Sequence, residues 1–226
     1  MSRQKTAAAE ADARRRAGLK VGALSNVAPP SHGYAWFTRH AYLAYLPVLL
    51  AAPAFVLRWS LSPDNYFFAD DWAWLNHAAN FPIALWLNLL PNQIYNDRPV
   101  GALFIRLLYD IFGLRQVAFH AVYLAVHLLN VVLAFHIGRR LLQSDKAAFC
   151  AALLFGCWGS ALQATTWVAA IFDLMGCTFL LLAILVHLAG KSPWLTAGLF
   201  VAALRTKEIA ILIPLLLLVG DAIRAE

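Results

Sequence analysis

The chain has 226 residues, 62% of them hydrophobic and 13% charged, with a mean hydropathy of +0.65. That exceeds what the core of a soluble domain of this size uses, and the apolar residues come in blocks close to bilayer length, which excludes an ordinary soluble enzyme. The net charge of +6 does not point to nucleic acid, because much of it lies in Arg14-Arg15-Arg16, Arg139-Arg140 and Lys146, beside apolar blocks, where it reports topology.

Residues 1–40 are rich in Ala, Arg, Ser and Gly and carry Pro29-Pro30. With no sustained apolar face they read as a flexible, basic cytoplasmic tail, too long to be the n-region of a signal peptide. The first apolar block, Ala41 to Leu57, is just long enough to cross a hydrocarbon core of ~30 Å at ~1.5 Å per residue. Pro47 and Pro53 predict a kink in it. With the arginine-rich tail inside, residues 58–116 form the first outer loop.

That loop holds helices of its own. Asp70 can cap a short helix running to about Ala79, Pro82 can start another, and Pro99 to Phe112 makes a third, stopped at Gly113. Arg106 and Asp110 are spaced to pair on the third helix. Trp72, Trp74, Trp86 and Tyr95 suit a membrane surface, so these helices read as interfacial.

Val117 to Ile137 predicts a spanning helix ending at Gly138-Arg139-Arg140, basic residues that mark a cytoplasmic end. His120, Tyr123, His127 and Asn130 share one of its faces. Polar groups in a spanning helix turn to the bundle interior or to a wet cavity, which leaves open a packed polar seam and a ligand contact. Ala147 to Ala164 returns outward, and Trp167 to Ala189 goes back in, ahead of Lys191. Asp173 falls about 9 Å from the outer end of that helix at the standard rise, a costly place for an unpartnered carboxylate. Pro193 to Leu204 and Ile209 to Val219 are short runs around Arg205-Thr206-Lys207-Glu208. They read as a helical hairpin with Lys207 and Glu208 at a tip that faces a water-filled cavity.

The predicted fold is therefore all-α: a polytopic transmembrane bundle of about six crossings over residues 41–226, with interfacial helices in the first outer loop. Arg14 to Arg16, Arg139, Arg140, Lys146, Lys191 and Arg224 then lie inside. Asp70, Asp71, Arg98, Asp173, Arg205 and Lys207 lie towards the outer half. Cys150, Cys157 and Cys177 have no paired spacing, and the seven histidines have no ligand spacing. Carboxylates at Asp70 and Asp71 suit Mg²⁺ or Mn²⁺, but the reading favours no metal and no cofactor.

Several stretches resemble a known family. Asp70-Asp71, Asn96-Asp97-Arg98-Pro99, the run from Phe119-His120 through His127-Leu128-Leu129-Asn130 to Gly138-Arg139-Arg140, and Thr206-Lys207-Glu208 through Pro214 look like the N-terminal half of polytopic C-type glycosyltransferases. The resemblance is to the protein O-mannosyltransferase superfamily, including its tetratricopeptide-repeat branch, over about residues 40–225. It implies a polyprenyl-phosphate-linked sugar donor and an acceptor reached from the outer face. It also implies that the first acid of the pair, Asp70, is the general base, and that basic residues such as Arg98 and Lys207 hold the lipid phosphate. Relatives often have an Arg two residues before the acid of the fourth helix. Here Trp167 and Asp173 match that pattern, but Ile171 replaces the Arg. Relatives also continue beyond the equivalent of Glu226 with further helices.

Glycosyl transfer from a lipid phosphate needs a base for the acceptor hydroxyl and cations for the departing phosphate. Asp70 and Asp71 are the catalytic candidates, Asp71 through like-charge repulsion or by orienting a partner. Arg98, Lys207 and Arg205 are the phosphate-binding candidates. His120, His127, Asn130, Asp173 and Glu208 are the cavity-lining ones. Simpler readings exist for each group: the acid pair as a helix cap, Arg98 as a snorkelling interfacial arginine, Lys207 and Glu208 as a self-neutralising pair. From another class, a non-catalytic membrane protein, whether lipid-phosphate binder, transporter-like fragment or scaffold, fits the same composition. The acceptor, whether protein, lipid or glycan, is not legible. No asparagine sits in an Asn-x-Ser/Thr sequon, which favours a bacterial inner membrane over the endoplasmic reticulum.

Overall fold

The computed structural model describes residues 40–86 and 98–225. Nearly all of the tail read over residues 1–40, together with Tyr95, Asn96 and Asp97, lies outside the described residues. The chain divides into two compact units, 1–43 and 44–226. Every described element is helical.

A 3₁₀ turn over Ala41–Tyr45 leads into α1 (Leu46–Val56), with a proline in its first turn, where the missing N–H is no loss. After a 3₁₀ turn at Arg58–Leu61 come α2 (Asp71–Asn80), α3 (Ile83–Trp86) and α4 (Pro99–Phe112). Helix α4 starts on Pro99 and stops at Gly113, whose φ of +61° suits a residue without a side chain. Then follow α5 (Gln116–Leu142), α6 (Asp145–Gly156) and α7 (Ser160–Thr166). A 3₁₀ turn at Val168–Ala170 enters α8 (Ile171–Leu188), followed by α9 (Pro193–Leu204), a 3₁₀ turn at Glu208–Leu212 and α10 (Ile213–Ala225).

Two helical segments, Gln116–Leu142 and Val168–Leu188, are long and apolar enough to cross a membrane, and α6 with α7 makes a third if that pair is one span bent by 57°. Ala41–Val56 and Pro193–Leu204 are apolar but shorter. In the most apolar windows of the two long segments only 44% and 33% of residues are buried. More than half of the residues in those windows are thus not fully buried, which leaves apolar surface for lipid contact.

Two boundaries differ from the expectation. The helix expected to stop at Gly138-Arg139-Arg140 runs on to Leu142 and ends at Gln143, which has a φ of +51°. Gly138 marks close packing instead, since a Cβ there would stand 3.1 Å from that of Ala148. Arg139 pairs with Asp145 at 2.7 Å, across a turn in which Ser144 caps α6 through Ala147 N. The continuous segment expected from Ala147 to Ala164 is interrupted between Gly156 and Ser160. A side chain at Gly156 would meet Pro53 Cγ at 2.7 Å and Val131 Cγ2 at 2.8 Å, so α1 and α5 fix the break by close approach.

Helices α2 and α4 do not simply float on the surface. Phe67, Leu75, Ile105 and Leu108 join Phe119, Tyr123, Val168, Ile171 and Phe172 in one buried cluster that caps α5 and α8. Each fully buried Leu, Ile or Phe contributes about 1.5–3 kcal/mol. The loop still exposes Trp59, Tyr66, Phe68 and Trp72, aromatics of the kind that sit at a membrane surface.

Candidate functional site

The turn before α2 is strained, with Ala69 at a φ of +51° directly ahead of the acid pair. Asp71 is fully buried, and its carboxylate accepts from Phe68 N at 3.2 Å and from Ala169 N at 3.0 Å. Burial pushes its carboxyl up to about 6. The Phe68 and Ala169 N–H groups pull it back down, and the charge of Asp70 adds to the rise. Asp70 occupies the N-cap position of α2 but makes no side-chain cap. Its Oδ1 instead accepts from Trp167 Nε1 at 2.9 Å, and the Trp167 ring stacks on Phe68. The expected capping role is thus replaced by two tethers, each joining the acidic turn to residues 167–169.

At the head of α8 three segments meet. Arg98 makes a two-point fork to Glu208, Nε to Oε2 at 3.0 Å and Nη2 to Oε1 at 2.6 Å, and lies over the Phe172 ring at 5.6 Å. Phe172 packs so closely on Gly101 that a methyl group there would overlap its ring. Lys207 Nζ donates to Asp173 Oδ1 at 2.5 Å. Arg205, half-buried, gives its carbonyl to Val100 N at 3.4 Å, while Thr206 is buried and bonded to Ala202 O. Lys207 and Glu208 do not neutralise each other; each pairs with a residue from another segment. The carboxyl of Glu208 is held below its usual range by its own backbone N–H and then by Arg98.

Asp173 borders three cavities. The largest, about 450 Å³, lies beneath the α6–α7 break and is lined chiefly by apolar groups such as Leu154, Phe155 and Trp158, with His127 and Asn130 in its wall. A second, about 290 Å³, also takes in Lys207 and Gly176. A third, about 270 Å³, lies between Ser160, Gln163 and Trp167. His120, Glu208 and Arg98 line none of these three.

The polar face of α5 is a seam that ties α5 to backbone carbonyls of neighbouring elements. Tyr123 donates to Val168 O at 2.8 Å, in the 3₁₀ turn before α8. His127 Nε2 is 3.0 Å from Gly156 O, the last carbonyl of α6, so the ring carries its proton on Nε2. Asn130 donates to Leu174 O and accepts from Thr178, at 3.0 and 2.7 Å. Of the three, His127 stands in for a partner lost at a helix end, while Tyr123 and Asn130 add a second contact to carbonyls that keep backbone donors. His120 differs: it is fully buried with the Ser60 and Thr166 backbone beside its ring, but neither nitrogen makes a well-aligned hydrogen bond among the described residues.

Sequence reasoning gave Trp167 no role, although an indole N–H buried beside carboxylates finds an acceptor. It also passed over Thr178, which carries no signal inside an apolar run. Among the described residues no group of three or more His, Cys, Asp or Glu could hold a metal, and all three cysteines are free. Ile171, in the place where the resemblance expects an Arg, is fully buried in the apolar cluster. Compared with protein-family models, with curated proteins and with solved structures, the chain matches none.

Proposed function

We propose that the protein is a membrane glycosyltransferase that moves a sugar from a polyprenyl-phosphate-linked donor to an acceptor hydroxyl at the extracytoplasmic face. In this reading the chain makes about six crossings, with its N-terminus cytoplasmic, in a bacterial inner membrane or, as the alternative, the endoplasmic reticulum. The observation that carries the reading is the convergence on one end of α8. Carboxylates from residues 70–71, 173 and 208 and cations from residues 98 and 207 meet there, beside cavities that share Asp173. The largest cavity falls in the size range of ligand sites and is apolar enough for an isoprenoid chain.

The chemistry follows from exposure. Asp70 is open to solvent and takes the acceptor's proton as the acceptor oxygen bonds to the anomeric carbon. The bond from that carbon to the phosphate oxygen breaks, and the charge left on the phosphate is stabilised by Lys207, with the charges of Arg98 and Arg205 on the neighbouring segments. Asp71, out of contact with solvent, holds the turn that presents Asp70. Changing Asp70→Asn in membranes containing the full chain abolishes sugar transfer and leaves donor binding in place. Transfer that survives the change removes Asp70 from the role of base.

A second reading, a lipid-phosphate binder without turnover, draws on a specific feature: both junction cations already hold carboxylates, and Ile171 supplies no third one. Donor binding without transfer in the unaltered chain would select it.

A further inference from the structure

The two ion pairs of the junction are built differently. Arg98 grips Glu208 through two parallel contacts and is backed by the Phe172 ring, so it is held on both sides. Lys207 meets Asp173 through one nitrogen and one oxygen, with the Asp173 side chain 51% and the Lys207 side chain 24% exposed. A single-contact pair at that exposure contributes little net stability and is readily exchanged. A lysine ammonium is a compact point charge that accepts one anion as well as another.

The surroundings give both partners somewhere to go. Gly176, one turn along α8, leaves 3.6 Å between a built Cβ and the Lys207 Cβ, so the lysine stem lies against the helix with no side chain in its way. Asp173 stands where the three cavities adjoin, and the Ser160 hydroxyl and Gln163 amide on the far side are donors for a displaced carboxylate. The apolar cavity beside it accommodates the hydrocarbon part of a ligand whose anionic end reaches Lys207.

We infer that Asp173 is an internal stand-in for the ligand phosphate: its carboxylate occupies the place on Lys207 that a polyprenyl phosphate takes, and the phosphate binds by displacing it. The inference rests on reading the junction as a lipid-phosphate site. It adds that this site is self-occupied when empty of ligand, that Lys207 exchanges partners, and that Arg98 stays on Glu208. Displacement frees a carboxylate beside Trp167 and Asp70 at the moment the donor arrives.

The test is a titration of the full chain in zwitterionic nanodiscs with polyprenyl phosphate, and with polyprenol and inorganic phosphate for comparison. Asp173→Asn tightens polyprenyl phosphate binding about tenfold, as follows when the self-paired state holds about nine molecules in ten. Asp173→Ser, a smaller neutral residue, does the same, and thermal unfolding of both variants checks that they are folded. Lys207→Gln weakens binding by at least about tenfold through loss of the charge-assisted contact. Glu208→Gln gives a smaller gain than Asp173→Asn. Polyprenol binds the unaltered chain and Asp173→Asn alike, and a gain with inorganic phosphate assigns the exchange to the phosphate head alone. If Lys207→Gln weakens binding but neither Asp173 variant tightens it, the stand-in is wrong while the phosphate site stands. If Lys207→Gln changes nothing, the phosphate site itself falls, and the inference with it. An equal gain for polyprenol would also overturn the inference, since the carboxylate would then only be blocking the cavity.

Discussion

The polar seam of α5 and the charged junction at the head of α8 use polar residues in opposite ways. In the seam, Tyr123, His127 and Asn130 are buried, each bonded to a backbone carbonyl of another element. In the junction, Arg98, Lys207, Asp173 and Glu208 are charged, partly exposed and bonded to one another. Removing a seam residue loses a buried hydrogen bond that water cannot replace, whereas removing a junction residue leaves its partner open to water or to another ion. Burial with fixed partners makes structure, and exposure with exchangeable partners makes a site.

Asp71 mixes the two categories and carries the largest expected effect. It is buried like the seam and charged like the junction, and its folded pKa of about 6 lies above the 3.8 of an ordinary aspartate. Between those values the folded state binds more protons than the unfolded one. Stability therefore falls as pH rises from about 4 to about 6, by up to about 3 kcal/mol, and is flat above that range. Thermal unfolding in detergent across this range measures the slope, and Asp71→Asn flattens it. A slope that survives the substitution would assign the titration to another group.

Asn130→Leu comes next. It removes two buried hydrogen bonds while the Thr178 hydroxyl keeps Leu174 O, and costs about 1–2 kcal/mol in unfolding, while donor binding by the folded fraction stays the same. A loss of binding larger than the loss of stability would move the seam into the site. The smallest stability effect belongs to Asp173→Asn, within about 1 kcal/mol, as suits a half-exposed pair. The variant that barely alters unfolding is thus the one that most alters phosphate binding.

Local signals in the sequence locate the helices between residues 58 and 116 well. Pro99 and Gly113 bracket α4 as a first-turn proline and a terminal glycine do, and Arg106 pairs with Asp110 at the expected four-residue spacing. The break between α6 and α7 was not legible. Composition stays apolar through Cys157 and Trp158, and hydropathy does not register an interrupted backbone. Gly138 reads as part of a helix end in sequence, yet close approach of Ala148 is what requires it, and Gly156 is required in the same way by Pro53 and Val131. The spacing of His120, Tyr123, His127 and Asn130 correctly placed four polar groups on one buried face. It carried no information on which backbone carbonyls would meet them, because those belong to elements far along the chain. The outer charges were visible as candidates, but the pairing of Arg98 with Glu208 and of Lys207 with Asp173 needs the fold. The same holds for the tether from Trp167 to Asp70.

The central claim is that a lipid phosphate binds at Lys207. The most direct measurement is an experimental structure of the full chain with polyprenyl phosphate bound in a nanodisc. The account predicts the phosphate within hydrogen-bonding distance of Lys207, Arg98 still forked to Glu208, and Asp173 turned towards Ser160 and Gln163. A phosphate bound elsewhere, with the Asp173–Lys207 pair intact, would contradict it.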